Sequence, residues 1–398
     1  MKILVLSHMY PSSFNPVAGI FVHEQVKELT RQGQDVRVIS PVPWAPWFLG
    51  FKKKWREYRK IKRQEVINNI KVYHPRFITF PRAFLFSLTG HTYWWGVRKQ
   101  VKRISADFPF DLIYAHVALP DGWGGMVVKK IYGKPFLVTV HGLDVRPKIY
   151  KNKKCYQRIE KIFKEADAIL ANSDRTANLI AEIYGENLET KIKIVYNGVS
   201  LEDVYQESSP IKRKYDSKKI ILSVGNLVKL KGINYLIQAL PKIIEKVPNL
   251  VCLIIGKGEE KENLKRLVEK FNLENYVEFL GPKPHKEVFE YMSMADVFVL
   301  PSINEAFGVV YIEAMAHKVP VIGCLGQGIE DIVENEKSGI LVRPKNVEDL
   351  ENALVKLLTD EDFAHTVGQA GRKIVEEKFT WGNSVRELME VYSSLRSS

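Results

Sequence analysis

The chain has 398 residues, 45% apolar and 26% charged, and is longer than a single hydrophobic core usually organises. Residues 1–200 carry 33 Lys and Arg against 16 Asp and Glu, whereas residues 201–398 carry 26 against 30. Three separated cysteines fit neither a disulfide framework nor a zinc site, and no apolar run is long enough to span a bilayer. We therefore expect two domains in a reducing compartment, with an anionic partner for the first half.

Short apolar runs alternate with amphipathic stretches along the first half. The first run, KILVLS, is too short for a signal peptide and predicts a strand. The stretch FVHEQVKELTRQG then predicts a helix, with Gly33 suited to its C-terminus. The strands predicted in this half are residues 2–7, 36–40, 111–116, 136–140 and 168–173.

The second half repeats this arrangement, with strands predicted at residues 219–225, 250–256, 277–281, 297–301 and 319–323. Nearly continuous apolar strands separated by helices indicate parallel sheets covered on both faces. The polar segment 201–215 predicts a linker, which gives domains 1–205 and 206–378. The amphipathic segment 379–398 either finishes the second domain or packs back on the first, which we favour. We expect an α/β protein with two Rossmann-like, doubly wound domains facing each other across a cleft.

Glycines after the first strand do not form a dinucleotide motif, because none occurs before Gly19. A nicotinamide cofactor is therefore not expected there. Gly19 precedes a predicted helix, where a glycine allows backbone amides to approach a phosphate. The alternative is a loop glycine that only eases the turn.

Histidines end two predicted strands of the first half. His141, followed by Gly142 and Asp144, could donate to or accept from a sugar hydroxyl, and Asp144 is a further candidate for the same contact. The alternative for His141 is a cap on the next helix. His116 is a second candidate for contact with a sugar or an acceptor.

The loop SVGNLVKLKG follows the first strand of the second half. Gly225 permits a tight turn, and Lys231 lies just before a predicted helix whose N-terminus attracts anions. A lysine and several amides at such a place suit a diphosphate; the alternative is a solvated lysine.

The stretch EAFGVVYIEAMA holds two carboxylates, Glu305 and Glu313. If a helix begins near Gly308, they lie roughly 12 Å apart along it, comparable to a nucleotide sugar from ribose to hexose. The amides expected to meet the phosphates between them are those of Ala306, Phe307, Gly308 and Val309. Alternatively, residues 302–305 form a capping box in which Glu305 serves only its own helix. Neither reading needs a metal ion, and no cluster of ligands offers a site for one.

Together these motifs resemble the retaining, nucleotide-sugar-dependent glycosyltransferases of family 4, which have the GT-B architecture. The similarity runs nearly end to end, through the Gly19 loop, HGLD, KG at 231–232 and ADVFVLPSINEAFGVVYIEAMA. The opening YPSSFNPVAGIFVHEQ is most similar to transferases of bacterial cell-envelope polysaccharides, such as the teichuronic acid enzymes. The resemblance implies that residues 1–205 bind the acceptor, a lipid-linked or glycan intermediate, and that residues 206–378 bind a nucleotide sugar, with no cofactor. We expect a UDP-sugar type of donor, although the sequence leaves its base and sugar open.

The resemblance also implies roles for individual residues. Glu305 would bind the donor hexose, Glu313 the ribose and Lys231 the diphosphate, and His141 would contact the transferred sugar. The donor-binding set is Gly19, Gly225, Asn226, Lys231, Ala306, Phe307, Gly308, Val309 and Glu313. Many members have arginine where this chain has Asn226, and Lys229 is a candidate substitute. The implied mechanism is front-face substitution in which the leaving diphosphate takes the acceptor proton.

A basic and aromatic segment, residues 41–63, suggests a membrane surface. From Phe51 to Arg63 it has eight Lys and Arg and one Glu, and residues 76–103 are again aromatic and basic. Aromatic rings favour the membrane interface, and lysines favour anionic lipids. The candidate contacts are Trp44, Trp47, Phe48, Lys52, Lys53, Lys54, Trp55 and Arg56. We expect a cytoplasmic enzyme on the inner face of the membrane; the alternative is that these rings form core and the charges are solvated.

Other functions also fit parts of the sequence. A basic, aromatic surface could bind nucleic acid, but no RNA-binding motif accompanies it. A GT-B epimerase, a phosphorylase or a non-catalytic relative would share the fold. Product analysis separates these from a transferase, which yields free nucleotide and a glycosylated acceptor.

Overall fold

The computed structural model describes residues 1–15, 18–44, 53–79, 85–142, 144–204 and 212–397. They form two compact units, Met1–Tyr196 with Ser384–Ser398, and Asn197–Asn383. The change of unit thus comes before the predicted linker. Residues just after Tyr196 are held by the C-terminal unit, where Val199 N–H donates to the Phe379 carbonyl at 2.9 Å. The polar composition of residues 201–215 predicted a linker, and this backbone pairing could not be read from it.

The N-terminal unit is built on one large sheet and a small strand pair. Its strands are β1 (Lys2–Leu6), β2 (Asp35–Ile39), β3 (Val42–Pro43), β4 (Gln64–Ile67), β5 (Ile70–Tyr73), β6 (Arg76–Phe77), β7 (Leu112–His116), β8 (Phe136–Val140), β9 (Ala168–Ala171) and β10 (Ile192–Ile194). The sheet order is β10-β9-β8-β7-β1-β2-β5-β4, and β3 pairs with β6. β4 runs antiparallel to β5, and the other pairings of the large sheet are parallel. The parallel strands predicted for this half are confirmed.

Helices cover both faces of this sheet. The helices of this unit are α1 (Ile20–Arg31), α2 (Lys53–Lys60), α3 (Thr89–Asp107), α4 (Trp123–Tyr132), α5 (Pro147–Tyr150), α6 (Lys153–Glu165) and α7 (Asp174–Tyr184). Alternate residues of β1 point to opposite faces, so Leu4 packs with α3 and Ile3 packs with α1. Helix α14 (Trp381–Ser397) adds Val385 and Leu388 to the α1 face. The buried apolar area on both faces explains the continuous apolar strands.

The C-terminal unit contains a single parallel sheet within the described residues. Its strands are β11 (Lys219–Val224), β12 (Leu250–Ile255), β13 (Val277–Gly281), β14 (Val297–Val299), β15 (Val321–Cys324) and β16 (Ile340–Val342), in the order β13-β12-β11-β14-β15-β16. The helices are α8 (Ile233–Lys246), α9 (Lys261–Lys270), α10 (His285–Met292), α11 (Val309–Ala316), α12 (Val347–Thr359) and α13 (Glu361–Lys378). The five strands predicted for this half are all present.

Strand order locates the loops that can hold a ligand. In the C-terminal unit the connections run one way from β11 and the other way from β14, so these neighbouring strands form a topological switch point. In the N-terminal unit the switch point lies between β1 and β7. Loops that leave the carboxyl ends of these strands diverge and leave a crevice, which is where open parallel sheets bind ligands.

Candidate active site

Two loops of the C-terminal unit meet at the switch point between β11 and β14. The Leu230 carbonyl accepts hydrogen bonds from the Ile303 amide at 2.9 Å and the Ser302 hydroxyl at 3.1 Å. Gly232, with φ 66°, ends the first loop and lies so close to Pro301 that a Cβ would be 2.0 Å from its carbonyl oxygen. Only glycine fits there, and it lets α8 begin at Ile233, two residues after Lys231.

Lys231 and Glu305 form an ion pair across these loops. The ammonium of Lys231 donates to Oε2 of Glu305, and the two side chains are only 22% and 13% exposed. They are 74 residues apart in the sequence, yet the structure brings both to the starts of helices, Lys231 before α8 and Glu305 before α11. The alternative of a solvated lysine is therefore wrong.

Glu305 does not belong to a capping box. Helix α11 begins at Val309, with Gly308 before it at φ 90°, and the Ser302 hydroxyl bonds Leu230 instead of a helix amide. Residues 302–305 match the capping-box pattern in sequence, but the Ser302 hydroxyl and the Ile303 amide both donate to the Leu230 carbonyl of the neighbouring loop. The first turn of α11 keeps N–H groups without partners inside the helix, which gives an anion a place to bind.

Three residues that the sequence reasoning missed support the two carboxylates. The Gln327 side-chain oxygen accepts from the Glu305 amide at 3.0 Å, and the Glu305 carbonyl accepts from the Gly328 amide at 3.1 Å. His285 Nε2 lies 2.8 Å from Oε1 of Glu313, whose side chain is 14% exposed. Gln327 and His285 lie in loops or at a helix start after other strands, so only strand order relates them to the glutamates.

Most of the other residues predicted to bind the donor lie in the loop after β11 or at the start of α11. The structural reason for glycine at position 225 differs from the predicted one. Gly225 follows β11 without a left-handed φ, and a Cβ there would make ordinary contacts with Leu300 and Lys231. The prediction that Gly225 permits a tight turn is therefore wrong. Glycine is required instead at position 256, because a Cβ there would lie 1.8 Å from the Gly225 carbonyl oxygen. Asn226 is exposed, as is Lys229. Ala306 and Val309 are half-buried, and the Phe307 side chain is buried with its ring 5.7 Å from that of Phe379.

The N-terminal unit places a histidine pair at its own switch point. The rings of His116 and His141 stack at 5.3 Å between centroids, with Nδ1 of His116 3.1 Å from Nε2 of His141. Phe21 of α1 lies 4.7 Å from the His141 ring. Burial lowers the pKa of His141 to about 3, and burial followed by the His141 charge lowers that of His116, so both rings are neutral. His141 does not cap the next helices, since α5 follows Arg146 and α6 is capped by Asn152.

Burial separates the roles of the other candidates in this unit. His116 is 1% exposed and Asp144 2% exposed, and Asp144 accepts from the amides of Ala118 at 3.2 Å and Leu119 at 3.5 Å. This burial argues against the predicted sugar contact for both residues. Instead, Asp144 supports the loop after β7, and His116 supports the His141 ring. Gly19 has φ 61°, and a Cβ there would be 2.3 Å from the Met9 carbonyl oxygen, so the turn itself requires glycine.

Replacing Asp144 with asparagine should change how stability depends on pH. Burial raises the pKa of Asp144 to about 7, against the opposing hydrogen bonds from Ala118 and Leu119. Between about pH 4 and pH 7 the unfolded chain releases this proton while the folded chain keeps it, so wild-type stability falls as pH rises. Relative to wild type, D144N should gain at most about 4 kcal/mol across that window. Urea unfolding at several pH values measures the difference in free energy of unfolding between D144N and wild type. D216N, which removes an exposed carboxylate, is the control. A difference that does not vary with pH would contradict the raised pKa of Asp144.

The segment predicted to contact a membrane is described only in part. Trp44 is 52% exposed, Trp55 is half-buried against Tyr58 with centroids 6.2 Å apart, and Arg56 is exposed. Lys53 and Lys54 lie in α2. Trp47, Phe48 and Lys52 lie outside the described residues.

Two α/β units on mainly parallel sheets, each with loops for a ligand at its switch point, form the GT-B fold, and solved glycosyltransferases share this fold. It aligns with Anabaena HepE, solved with UDP and glucose, at a TM-score of 0.74 and 21% identity over 99% of this chain and 100% of that one. The model "Glycosyltransferase Family 4" matches residues 18–203, and "Glycosyl transferases group 1" matches residues 204–374.

Sequence relatives match along the whole length. An uncharacterized glycosyltransferase of Methanocaldococcus jannaschii is 31% identical over 400 residues, 99% of each chain. TuaC of Bacillus subtilis, whose name assigns it to teichuronic acid biosynthesis, is 28% identical over 404 residues, again 99% of each. The chain belongs to the family 4, group 1 glycosyltransferases, as the resemblance implied.

Proposed function

We propose that this protein transfers a hexose from a nucleoside diphosphate sugar to an acceptor with retention of anomeric configuration. The acceptor we propose is a lipid-linked glycan intermediate of a cell-surface polysaccharide or glycolipid. The observation that carries the proposal is the Lys231–Glu305 pair, held before two helix N-termini at the switch point of the C-terminal sheet.

The donor is proposed to lie along the start of α11. Its diphosphate would bind Lys231 and the amides of residues 306–309, because a helix N-terminus and an ammonium group both favour an anion. Glu305 would accept from hexose hydroxyls, and Glu313 from ribose hydroxyls. Glu305 already offsets the charge of Lys231. The negative charge of a bound diphosphate must therefore be stabilised by the helix N-termini as well as by Lys231. HepE solved with UDP and with UDP-glucose supports a donor of this class.

Charge on the leaving diphosphate is the largest electrostatic demand of this reaction. As the glycosidic bond breaks, negative charge grows on the phosphate oxygens, where Lys231 and the α11 amides are fixed in advance. The leaving diphosphate takes the acceptor proton in front-face substitution, so no strong protein base is needed. His141 is proposed to contact the transferred sugar, since it is only half-buried after β8, whereas His116 is fully buried beneath it.

Nucleotide screening tests the donor proposal. We expect one nucleoside diphosphate to raise the melting temperature more than the corresponding monophosphate, and the matching nucleotide sugar to be hydrolysed slowly. Both results should persist in EDTA, because the proposed partners of the diphosphate charge are Lys231 and helix N–H groups rather than a metal ion. Activity abolished by EDTA and restored by a divalent metal would contradict the metal-free proposal. Retention is read from the anomeric configuration of the transferred product.

The acceptor proposal includes reversible binding to an anionic membrane. Strand β3 pairs with β6, and Gly96 of α3 packs against Phe77. Exposed apolar side chains lie on the segments that lead into these contacts, after β3, after β6 and from residue 85 to residue 95. They are Trp44, Ile78, Leu85, Leu88 and Trp95, with exposed fractions from 38% to 59%. The described residues include no helix long and apolar enough to cross a membrane.

Cations line the exposed face of α3 beside this apolar group. The Arg98 guanidinium lies 5.5 Å from the Trp95 ring, and exposed cations continue one turn further. We call Trp95, Arg98, Lys99, Lys102 and Arg103 the α3 surface. Residues 66–106 contain no Asp or Glu, so nothing within that segment offsets the positive charge. An interfacial tryptophan beside clustered cations suits anionic headgroups.

Neutralising two lysines of the α3 surface should release the protein from anionic vesicles. Each lysine near such a surface contributes about 1 kcal/mol, so Lys99→Gln with Lys102→Gln should weaken partitioning roughly 30-fold. Flotation with phosphatidylglycerol–phosphatidylcholine vesicles measures it, and pure phosphatidylcholine should bind weakly. Lys265→Gln with Lys270→Gln, on exposed positions of α9, is the matched control. Equal binding by both double variants, or indifference to lipid charge, would contradict the membrane proposal.

A further inference from the structure

A pocket of about 410 Å³ opens in the N-terminal unit beside β1 and β2. It is lined by the loop after β1, the loop after β2 and residues of α2, all within one unit. The side chains that decide its chemistry are His8, Ser12, Phe14, Asn15, Glu57 and Tyr58. Among the described residues, none of the functional residues predicted from the sequence lines it.

His8 is held in this pocket by a buried carboxylate. Asp121, with 0% of its surface exposed, accepts from the His8 backbone amide at 2.8 Å and from ring Nδ1 at 2.5 Å. The His8 side chain is 30% exposed and lines the pocket. Because an ionised carboxylate can only accept hydrogen bonds, Nδ1 donates, and the neutral ring has its lone pair on Nε2. Asp121 therefore fixes both the orientation and the tautomer of His8.

Charges around His8 favour its protonated form. Burial acts to lower the pKa of His8, but the Asp121 charge and hydrogen bond outweigh it, with a smaller contribution from Asp144, and raise the pKa. Glu57 and His74 also line the pocket. The ring therefore keeps its second proton to a higher pH than an ordinary histidine does, and Nε2 is an acceptor only above that raised pKa.

The other described groups that line the pocket do not favour an anion. No Lys or Arg is among the described lining residues, and the Glu57 carboxylate would repel a phosphate. Hydroxyl and amide groups of Ser12 and Asn15 offer hydrogen bonds, and the Phe14 ring, 40% exposed, offers an apolar face. Scattered polar groups beside an aromatic face suit a neutral sugar ring, which has hydroxyls at its edge and C–H groups on its faces.

We propose that this pocket binds a neutral sugar of the acceptor, and that Nε2 of His8 accepts a hydrogen bond from one of its hydroxyls. Asp121 is the positioning residue for that contact. The proposal rests on the proposed transferase function and names the acceptor chemistry at this place. It gives a function to two residues that are 113 positions apart and that no motif connects.

Ring ¹⁵N spectra of the full chain test the contact directly. The protein has nine histidines, and the His8 resonances are assigned by their loss in H8Q. We expect methyl β-D-glucopyranoside, the probe, to shift the His8 Nε2 resonance saturably above the His8 pKa, and inorganic phosphate to leave it unchanged. H8Q should bind the probe about tenfold more weakly, the loss expected for one hydrogen bond. Its melting temperature, and its response to nucleoside diphosphates, should match the wild type.

Asp121→Asn separates positioning from a purely structural role. Loss of the carboxylate charge should lower the titration midpoint of His8 and allow the other tautomer, and probe affinity should fall with it. A D121N variant that folds but keeps the wild-type midpoint and affinity would overturn the positioning role. A probe that leaves His8 unshifted, or a His8 resonance that responds to phosphate instead, would overturn the sugar pocket. These readouts need no donor, so failure of nucleotide binding would count only against the transferase proposal.

Discussion

Replacing Lys231 with alanine should reduce donor turnover by roughly 10²–10³, the loss typical of removing one charge-stabilising donor. The ammonium group pairs with Glu305 in a site where both side chains are largely buried. Its removal takes a cation from the leaving diphosphate and also leaves the Glu305 carboxylate uncompensated beside it. The two effects act in the same direction, and both grow in a site that excludes water. Initial rates of nucleotide release from the preferred nucleotide sugar measure the change.

Lys229→Ala tests the neighbouring lysine, which the sequence also offers as a partner of the diphosphate. Lys229 belongs to the same short turn, Lys229–Lys231, but its side chain is exposed and no ion pair with it is found among the described residues. Its loss should cost far less than the loss of Lys231. If both variants fell equally, the turn as a whole would matter more than the Lys231 charge. If K231A kept wild-type turnover while folding normally, Lys231 would have no part in stabilising the leaving group.

Gly232→Ala should destabilise the C-terminal unit strongly and abolish donor binding. The left-handed φ of 66° costs an alanine about 1–2 kcal/mol, and the added Cβ would lie 2.0 Å from the Pro301 carbonyl oxygen. Relieving such overlap costs about 1–3 kcal/mol more, because the neighbour is backbone and cannot rotate away. The loops after β11 and β14 must then separate, which moves Lys231 away from Glu305. Urea unfolding and nucleotide thermal shift measure the two effects.

Gly281→Ala distinguishes the backbone cost from the steric one. Gly281 lies in the same unit with φ 69°, but nothing lies within 4 Å of a Cβ built there. The Gly281→Ala variant should lose only about 1–2 kcal/mol of stability, which is the cost of the left-handed conformation, and it should keep nucleotide binding. Equal losses of stability in the two variants would show that the contact with Pro301 does not constrain the loops.

Local sequence patterns predicted the strands well but missed elements with weaker signals. The β4–β5 hairpin turns at Asn68 and Asn69, which have φ values of 48° and 64°. An Asn-Asn pair between β-branched runs is a hairpin signal, so this element was open to prediction. Strands β10 and β16 are only three residues long, and their sequences alone do not distinguish them from loops.

The sequence determined the α/β class, the parallel sheets and the Lys231, Glu305 and Glu313 motifs, because apolar periodicity and helix starts are properties of neighbouring residues. Only the tertiary structure decided which distant groups meet: His8 with Asp121, Glu305 with Gln327, and Gly232 with the Pro301 carbonyl. These contacts depend on the order of strands in each sheet, which is set by how whole helices and strands pack. No local pattern records that order, so the support of the site could be read only from the folded chain.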